Sequence, residues 1–76
     1  MRLLLETLAR ELVDDPGRVS VTERVEGDAV RLPLRVARAD RGRVIGRGGR
    51  TADALRALLA AVAQRHGKSC SVEVVD

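Results

Sequence analysis

The chain has no phenylalanine, tyrosine or tryptophan. Its core must therefore be built from Leu, Val, Ile and Ala. The same absence excludes nucleic-acid binding on aromatic stacking platforms of the RRM or cold-shock kind, which need flat rings beneath the bases. Cys70 is the one cysteine, so no intrachain disulfide can form. His66 is the one histidine, and two isolated potential ligands do not make a zinc site. Long apolar runs are missing as well. The longest, Ala57 to Ala63, is too short to span a bilayer, and no signal-peptide pattern opens the chain. These absences lead us to expect a soluble cytoplasmic protein with no membrane partner, no metal and no cofactor.

Length sets a second limit. Seventy-six residues make one domain over 1–76, and a chain this short buries only about 60% of its unfolded surface. A dinucleotide-binding unit or an α/β-hydrolase does not fit. No carboxylate pair or nucleophile–base constellation stands out, so neither an enzyme nor a small-molecule substrate is expected.

What is present is arginine, and it is unevenly placed. The net charge is +3, with a single lysine. From Arg35 to Arg50 there are six arginines and one acid, Asp40, so this window carries +5 and the remainder −2. A compositional bias explains arginine over lysine, but it does not explain the clustering. A local basic patch points to a polyanion.

Apolar periodicity divides the chain. Leu5, Leu8, Ala9, Leu12 and Val13 share one helical face within residues 2–14, with Leu3 and Leu4 widening the stripe. Asp15-Pro16-Gly17 stops that helix. Residues 18–26 alternate, with Val19, Val21 and Val25 inward and Glu23 interrupting the pattern. After a turn at Glu26-Gly27-Asp28, residues 29–37 alternate again, with Val30, Leu32, Leu34 and Val36 inward. The pair reads as a hairpin. Pro33 lacks an N–H and argues for an edge strand or a bulge. Residues 39–45 make a short helix, with Asp40 in its first turn complementing the helix dipole. Residues 50–66 form a longer helix with Leu55, Leu58, Leu59, Val62 and His66 on one face, closed by Gly67. Its alanines permit close approach by another element. His66 suits the dipole at the helix end, and Cys70 reads as a small buried hydrophobe. Residues 69–75 form a last strand. The fold class is α+β in the order α-β-β-α-α-β, with a three-stranded mixed sheet and three helices on one face. Strands two and three run parallel if they pair.

Between the last two helices lies Val44-Ile45-Gly46-Arg47-Gly48-Gly49-Arg50-Thr51. Three glycines in four positions allow close backbone approach, and a Gly-rich loop entering a helix N-terminus collects N–H donors that favour anions. A phosphate-binding loop of the G-x-x-x-x-G-K-[ST] type fails, because Val44 stands where its first glycine belongs and a helix precedes the loop. A Rossmann fingerprint fails on spacing. A duplex-DNA helix-turn-helix fits poorly, since the arginines sit on the turn and not along the second helix. A tight helix–helix turn with solvated arginines is the plain alternative.

This segment resembles the V-I-G-x-x-G signature of the KH domain, with Gly46-Arg47-Gly48-Gly49 as its GxxG frame. The resemblance extends over nearly the whole chain. Length, the opening amphipathic helix, the Val25–Asp28 turn, the run from Gly42 to Arg56 and the closing Val72–Asp76 are similar to the small stand-alone bacterial KH-domain RNA-binding proteins of the KhpA family, with type II KH topology. The resemblance implies single-stranded RNA binding of low sequence selectivity, with the backbone of Gly46, Arg47, Gly48 and Gly49 clamping phosphates. Arg41, Arg43 and Arg50 are flanking phosphate contacts or simply solvated. Bases would lie between the two motif helices and the second strand, where Val44, Ile45, Leu34 and Val36 form either an apolar floor or plain core. Gly48 departs from many relatives, which carry a side chain there. The family also implies a homodimer or a heterodimer with a larger Jag-type KH-containing protein, and links to small-RNA handling, RNA chaperoning and cell-envelope growth. A protein-interaction scaffold on the same fold is the competing reading.

Overall fold

The computed structural model describes residues 1–75. The final residue of the closing Val72–Asp76 segment lies outside that range. Helix α1 spans Arg2–Leu12 and ends where Val13 turns to extended backbone. A 3₁₀ turn at Pro16–Arg18 leads to β1 (Ser20–Val21), β2 (Arg24–Glu26) and β3 (Ala29–Arg35). A second 3₁₀ turn, Arg38–Asp40, enters α2 (Arg41–Ile45); α3 (Arg50–Arg65) and β4 (Ser69–Val74) follow. The architecture is the expected α+β arrangement, with one difference in strand count.

That difference comes from Pro33. The expected first strand is divided into β1 and β2, yet both pair antiparallel with β3 in one register: Val21 faces Leu34, and Arg24 faces Arg31 three residues further along each strand. There is no bulge. Thr22 N–H donates to the Pro33 carbonyl at 3.2 Å, but Pro33 has no N–H to return to Thr22, so one rung is missing. Pro33 is also not on an edge. β3 is the central strand, with β1 and β2 on one side and β4 parallel on the other. A central proline is tolerated because residue 33 directs its backbone groups only toward the β1–β2 side.

The helices cover a single face of the sheet. Along β3 the even positions Val30, Leu32 and Leu34 are buried while Ala29, Arg31 and Arg35 are exposed. Leu5 and Ala9 of α1, Val44 of α2, and Leu55 and Leu59 of α3 close over that face, joined by Val19, Val21 and Val72. Each such leucine contributes roughly 1.5–3 kcal/mol on full burial. Val25 shares the core face through its partner Val30, but at 54% exposure it is uncovered, so the expected inward role does not hold there. Leu58 (44%) and His66 are exposed as well, on the solvent side of α3. Glu6 is buried on α1 because Arg2 and Arg10, one turn to either side, reach its carboxylate at 2.6 and 3.0 Å.

Asp40 stands at the N-cap position of α2, one residue before its first turn, and makes no side-chain capping bond to it. Its carboxylate is buried and accepts the backbone N–H groups of Asp14 and Asp15 at 3.2 and 3.1 Å. The bond ties the exit of α1 to the entry of α2 and so fixes where the glycine loop begins.

Candidate nucleic-acid interface

The loop follows from its glycines. Helix α2 closes with Gly46 N–H donating to Gly42 O at 2.9 Å, and Gly46 itself adopts φ 77°, ψ 169°. Gly48 (φ 64°) and Gly49 (φ 79°) are left-handed, and Gly49 N–H turns back onto Gly46 O at 3.1 Å. Arg47 is the one member of the frame with ordinary φ, so the order Gly-Arg-Gly-Gly matches the backbone that the turn requires. The glycine at position 48 is thus conformational: a side chain there would carry left-handed strain.

The three glycines do different work. A Cβ on Gly46 would overlap the Thr51 hydroxyl and lie 2.7 Å from Thr51 Cβ and 2.8 Å from Thr51 N. Gly46 is needed so that the loop can pack on its own helix. A Cβ on Gly48 or Gly49 would meet nothing within 4 Å. Their backbone is open to an incoming molecule. Helix α3 begins after Gly49 with no side-chain oxygen capping it; the Gly49 and Arg50 N–H groups donate to the Gly46 and Arg47 carbonyls of a 3₁₀ turn over Arg47–Gly49, and the positive end of the dipole lies beside that open backbone.

The arginines separate in the same way. Arg47 and Arg50 are exposed and make no ion pair among the described residues. Arg43 instead points away from the loop, to Asp14 at 3.0 Å and Asp40 at 3.8 Å, so much of its charge is already answered. Arg41 is half-buried at the start of α2.

Of the four apolar candidates, Leu34 and Val44 have no exposed surface. They are core, and a ligand cannot reach them. Val36 is half-buried against the core, and Ile45, 40% exposed at the end of α2, remains accessible. The second strand, β3, is paired on both sides and so offers no open edge. The element that lies open alongside α3 is β4. Between them runs a groove of about 450 Å³, lined by Ala57, Ala60 and Ala61 on one side and Lys68, Ser69 and Cys70 on the other. The small alanines keep it wide. It starts about 10 Å along α3 from Arg50. Arg56 bridges the nearer part, with Nε donating to Val72 O at 3.1 Å and Nη1 to Asp53 at 3.2 Å. Burial pushes the Cys70 thiol above its ordinary value of 9.0; the N-terminal ammonium opposes this and Glu23 adds to it. Arg56 and the α3–β4 groove were missed from sequence, although the i,i+3 spacing of Asp53 and Arg56 and the run of alanines were signals for them.

The family model described as "KhpA/KhpB, KH domain" matches residues 2–74. The chain belongs to the KhpA/KhpB family of KH domains. Curated relatives agree along nearly their whole length. The RNA-binding protein KhpA of Clostridium acetobutylicum is 43% identical over 75 residues, covering 99% of this chain and 100% of that protein. Its namesake in Treponema pallidum is 45% identical over 73 residues, covering 96% and 91%, and that of Aquifex aeolicus is 43% identical over 74, covering 96% and 92%. No solved structure gives a significant match. The KhpA/KhpB family is not an enzyme family, in line with the sequence reading. No helix among the described residues is long and apolar enough to cross a membrane.

Proposed function

We propose that the chain binds single-stranded RNA. The backbone of Gly48 and Gly49 takes a phosphate at the start of α3, Arg47 and Arg50 supply the attraction, and bases follow the α3–β4 groove past Ile45 and Arg56. The carrying observation is the coincidence at one place of open left-handed glycines, the positive end of a helix with no side-chain cap, and two arginines that pair with no acid among the described residues. The relatives named RNA-binding proteins support the choice of polymer. With no aromatic ring to stack on, affinity rests on phosphate charge and groove shape, so binding is weakly selective and falls with salt, with a log–log slope of about −0.7 per phosphate neutralised. Pairing with a second KH-containing chain would raise avidity without new base contacts. Post-transcriptional regulation in the cytoplasm is a setting that suits a binder of this kind.

The test is fluorescence anisotropy with a short labelled single-stranded RNA and the double variant Arg47→Asp/Gly48→Asp. Aspartate tolerates the left-handed region better than most residues, which keeps the fold within reach. The expected result is collapse of RNA binding with an unchanged circular dichroism spectrum. Undiminished binding would overturn the clamp and leave the scaffold reading. Duplex DNA outcompeting single strands would favour the helix-turn-helix reading instead.

A further inference from the structure

The face of the sheet that no helix covers carries an unexplained charge arrangement. Arg24 on β2 and Arg31 on β3 are direct cross-strand partners. Partners in an antiparallel pair project to the same side, here the side opposite buried Val30 and Leu32. Their Cβ atoms are therefore about 5 Å apart, and like charges so placed destabilise a sheet. Both side chains are exposed, and neither makes an ion pair among the described residues. Most acids elsewhere are spoken for: Glu6, Asp14, Asp15, Asp40 and Asp53 each hold an arginine. Glu26 and Glu73 share the open face, yet neither is within ion-pair distance of Arg24 or Arg31.

We infer that this arginine pair is a second phosphate-binding surface, on the side of the sheet away from the glycine loop, and that it takes the backbone of a nucleic-acid strand. The surroundings decide between a phosphate chain and an acidic protein. A stable protein interface needs an apolar centre. The large exposed hydrophobics, Leu3, Leu12, Val25, Ile45 and Leu58, all lie on helices or on the helix-covered side, none on the open face. That face offers instead small, flat groups beside the arginines, such as Thr22, Ser69 and Ser71. Nothing on it can read a base by stacking, so the contact is sequence-independent. One chain would then hold RNA on both sides of its sheet, either two strands at once or one long strand passing around it. The inference depends on the proposed clamp only for the identity of the polymer.

The experiment compares poly(U) with a tetranucleotide, using the intact protein, Arg24→Ser/Arg31→Ser, and the clamp variant Arg47→Asp/Gly48→Asp. Both replaced arginines are exposed, and serine is already common on this face, so folding is retained and is checked by circular dichroism. Loss of two phosphate contacts should make the poly(U) log–log salt slope shallower by about 1.4, at 0.7 per contact, while tetranucleotide affinity stays unchanged. The clamp variant should keep weak poly(U) binding that vanishes when the two serines are added. An unchanged salt slope would overturn the second surface whatever the clamp variant does. A slope that falls while the clamp variant binds normally would sink the clamp alone. If polyglutamate, and not poly(U), is lost on replacing the pair, the face is a protein contact and the inference is wrong.

Discussion

Gly46 and Thr51 touch so closely that no side chain can be built on the glycine without entering the threonine. The overlap involves Thr51 Cβ and N as well as the hydroxyl. Gly46 is therefore the structural glycine of the loop, and Gly48 and Gly49 are the ones that face outward.

Alanine at each position should separate the two roles. Gly46→Ala combines backbone strain of about 1–3 kcal/mol, at a φ and ψ that in practice only glycine adopts, with an overpacking cost of about 1–3 kcal/mol. Gly48→Ala and Gly49→Ala carry only the strain. Urea unfolding should rank Gly46→Ala clearly lowest, and adding Thr51→Ala should not rescue it, because the β-carbon and amide of residue 51 remain. Rescue by Thr51→Ala would show that the hydroxyl alone sets the contact.

Asp40 joins three segments through one buried carboxylate. Asp40→Ala leaves the Asp14 and Asp15 amides without their acceptor and should cost about 1–3 kcal/mol. Asp40→Asn retains one acceptor oxygen and should lose less. Amide hydrogen exchange supplies the second measurement: residues 14 and 15 should be protected in the native protein and exchange quickly in Asp40→Ala. Equal exchange in both proteins would remove Asp40 from this role.

Local pattern carried much of the fold. Alternation in residues 29–35, the 3.6 period of α1 and α3 and the Gly67 stop are short-range signals, and each element formed where its own residues favour it. What stayed hidden depended on partners far along the chain. Pro33 reads as an edge residue until β4 pairs on the side its ring does not obstruct. Leu34 and Val44 resemble groove residues until the helices close over them. Arg43 counts as a phosphate contact until the fold brings Asp14 beside it. Arg56 looks like an ordinary helix-surface residue until β4 places Val72 O in reach. The glycine frame was visible because backbone demand is written locally; the division of labour among its arginines was not.

That division predicts a graded response in RNA binding. Arg47→Ala and Arg50→Ala should each weaken binding and make the salt slope shallower by about 0.7. Arg43→Ala should do less to affinity, since Arg43 already faces Asp14 and Asp40, and its loss should appear partly as reduced stability. An exposed pair of this kind contributes about 0–1 kcal/mol. Salt titrations of the three single variants by anisotropy check this; an Arg43 effect equal to that of Arg47 would mean that the Asp14 contact opens when RNA binds.

Cys70 gives the last prediction, because it reports on the groove from inside. The thiol lines the α3–β4 groove, and burial raises its pKa above 9.0. A raised acid pKa means that the folded state favours the protonated thiol. The associated stability is fully present below pH 9.0 and is lost as pH rises through the folded value. Unfolding free energy should thus decline on the alkaline side more steeply in the native protein than in Cys70→Ser. Reactivity follows the same sign, since the thiolate is the nucleophile. Iodoacetamide should alkylate the folded protein more slowly at pH 8 than the urea-unfolded chain. Bases lying in the groove should slow it further, so saturating single-stranded RNA adds protection while duplex DNA does not. If RNA binds but leaves the alkylation rate unchanged, the strand does not run between α3 and β4, and the path of the bases must be sought on the Ile45 side of α2.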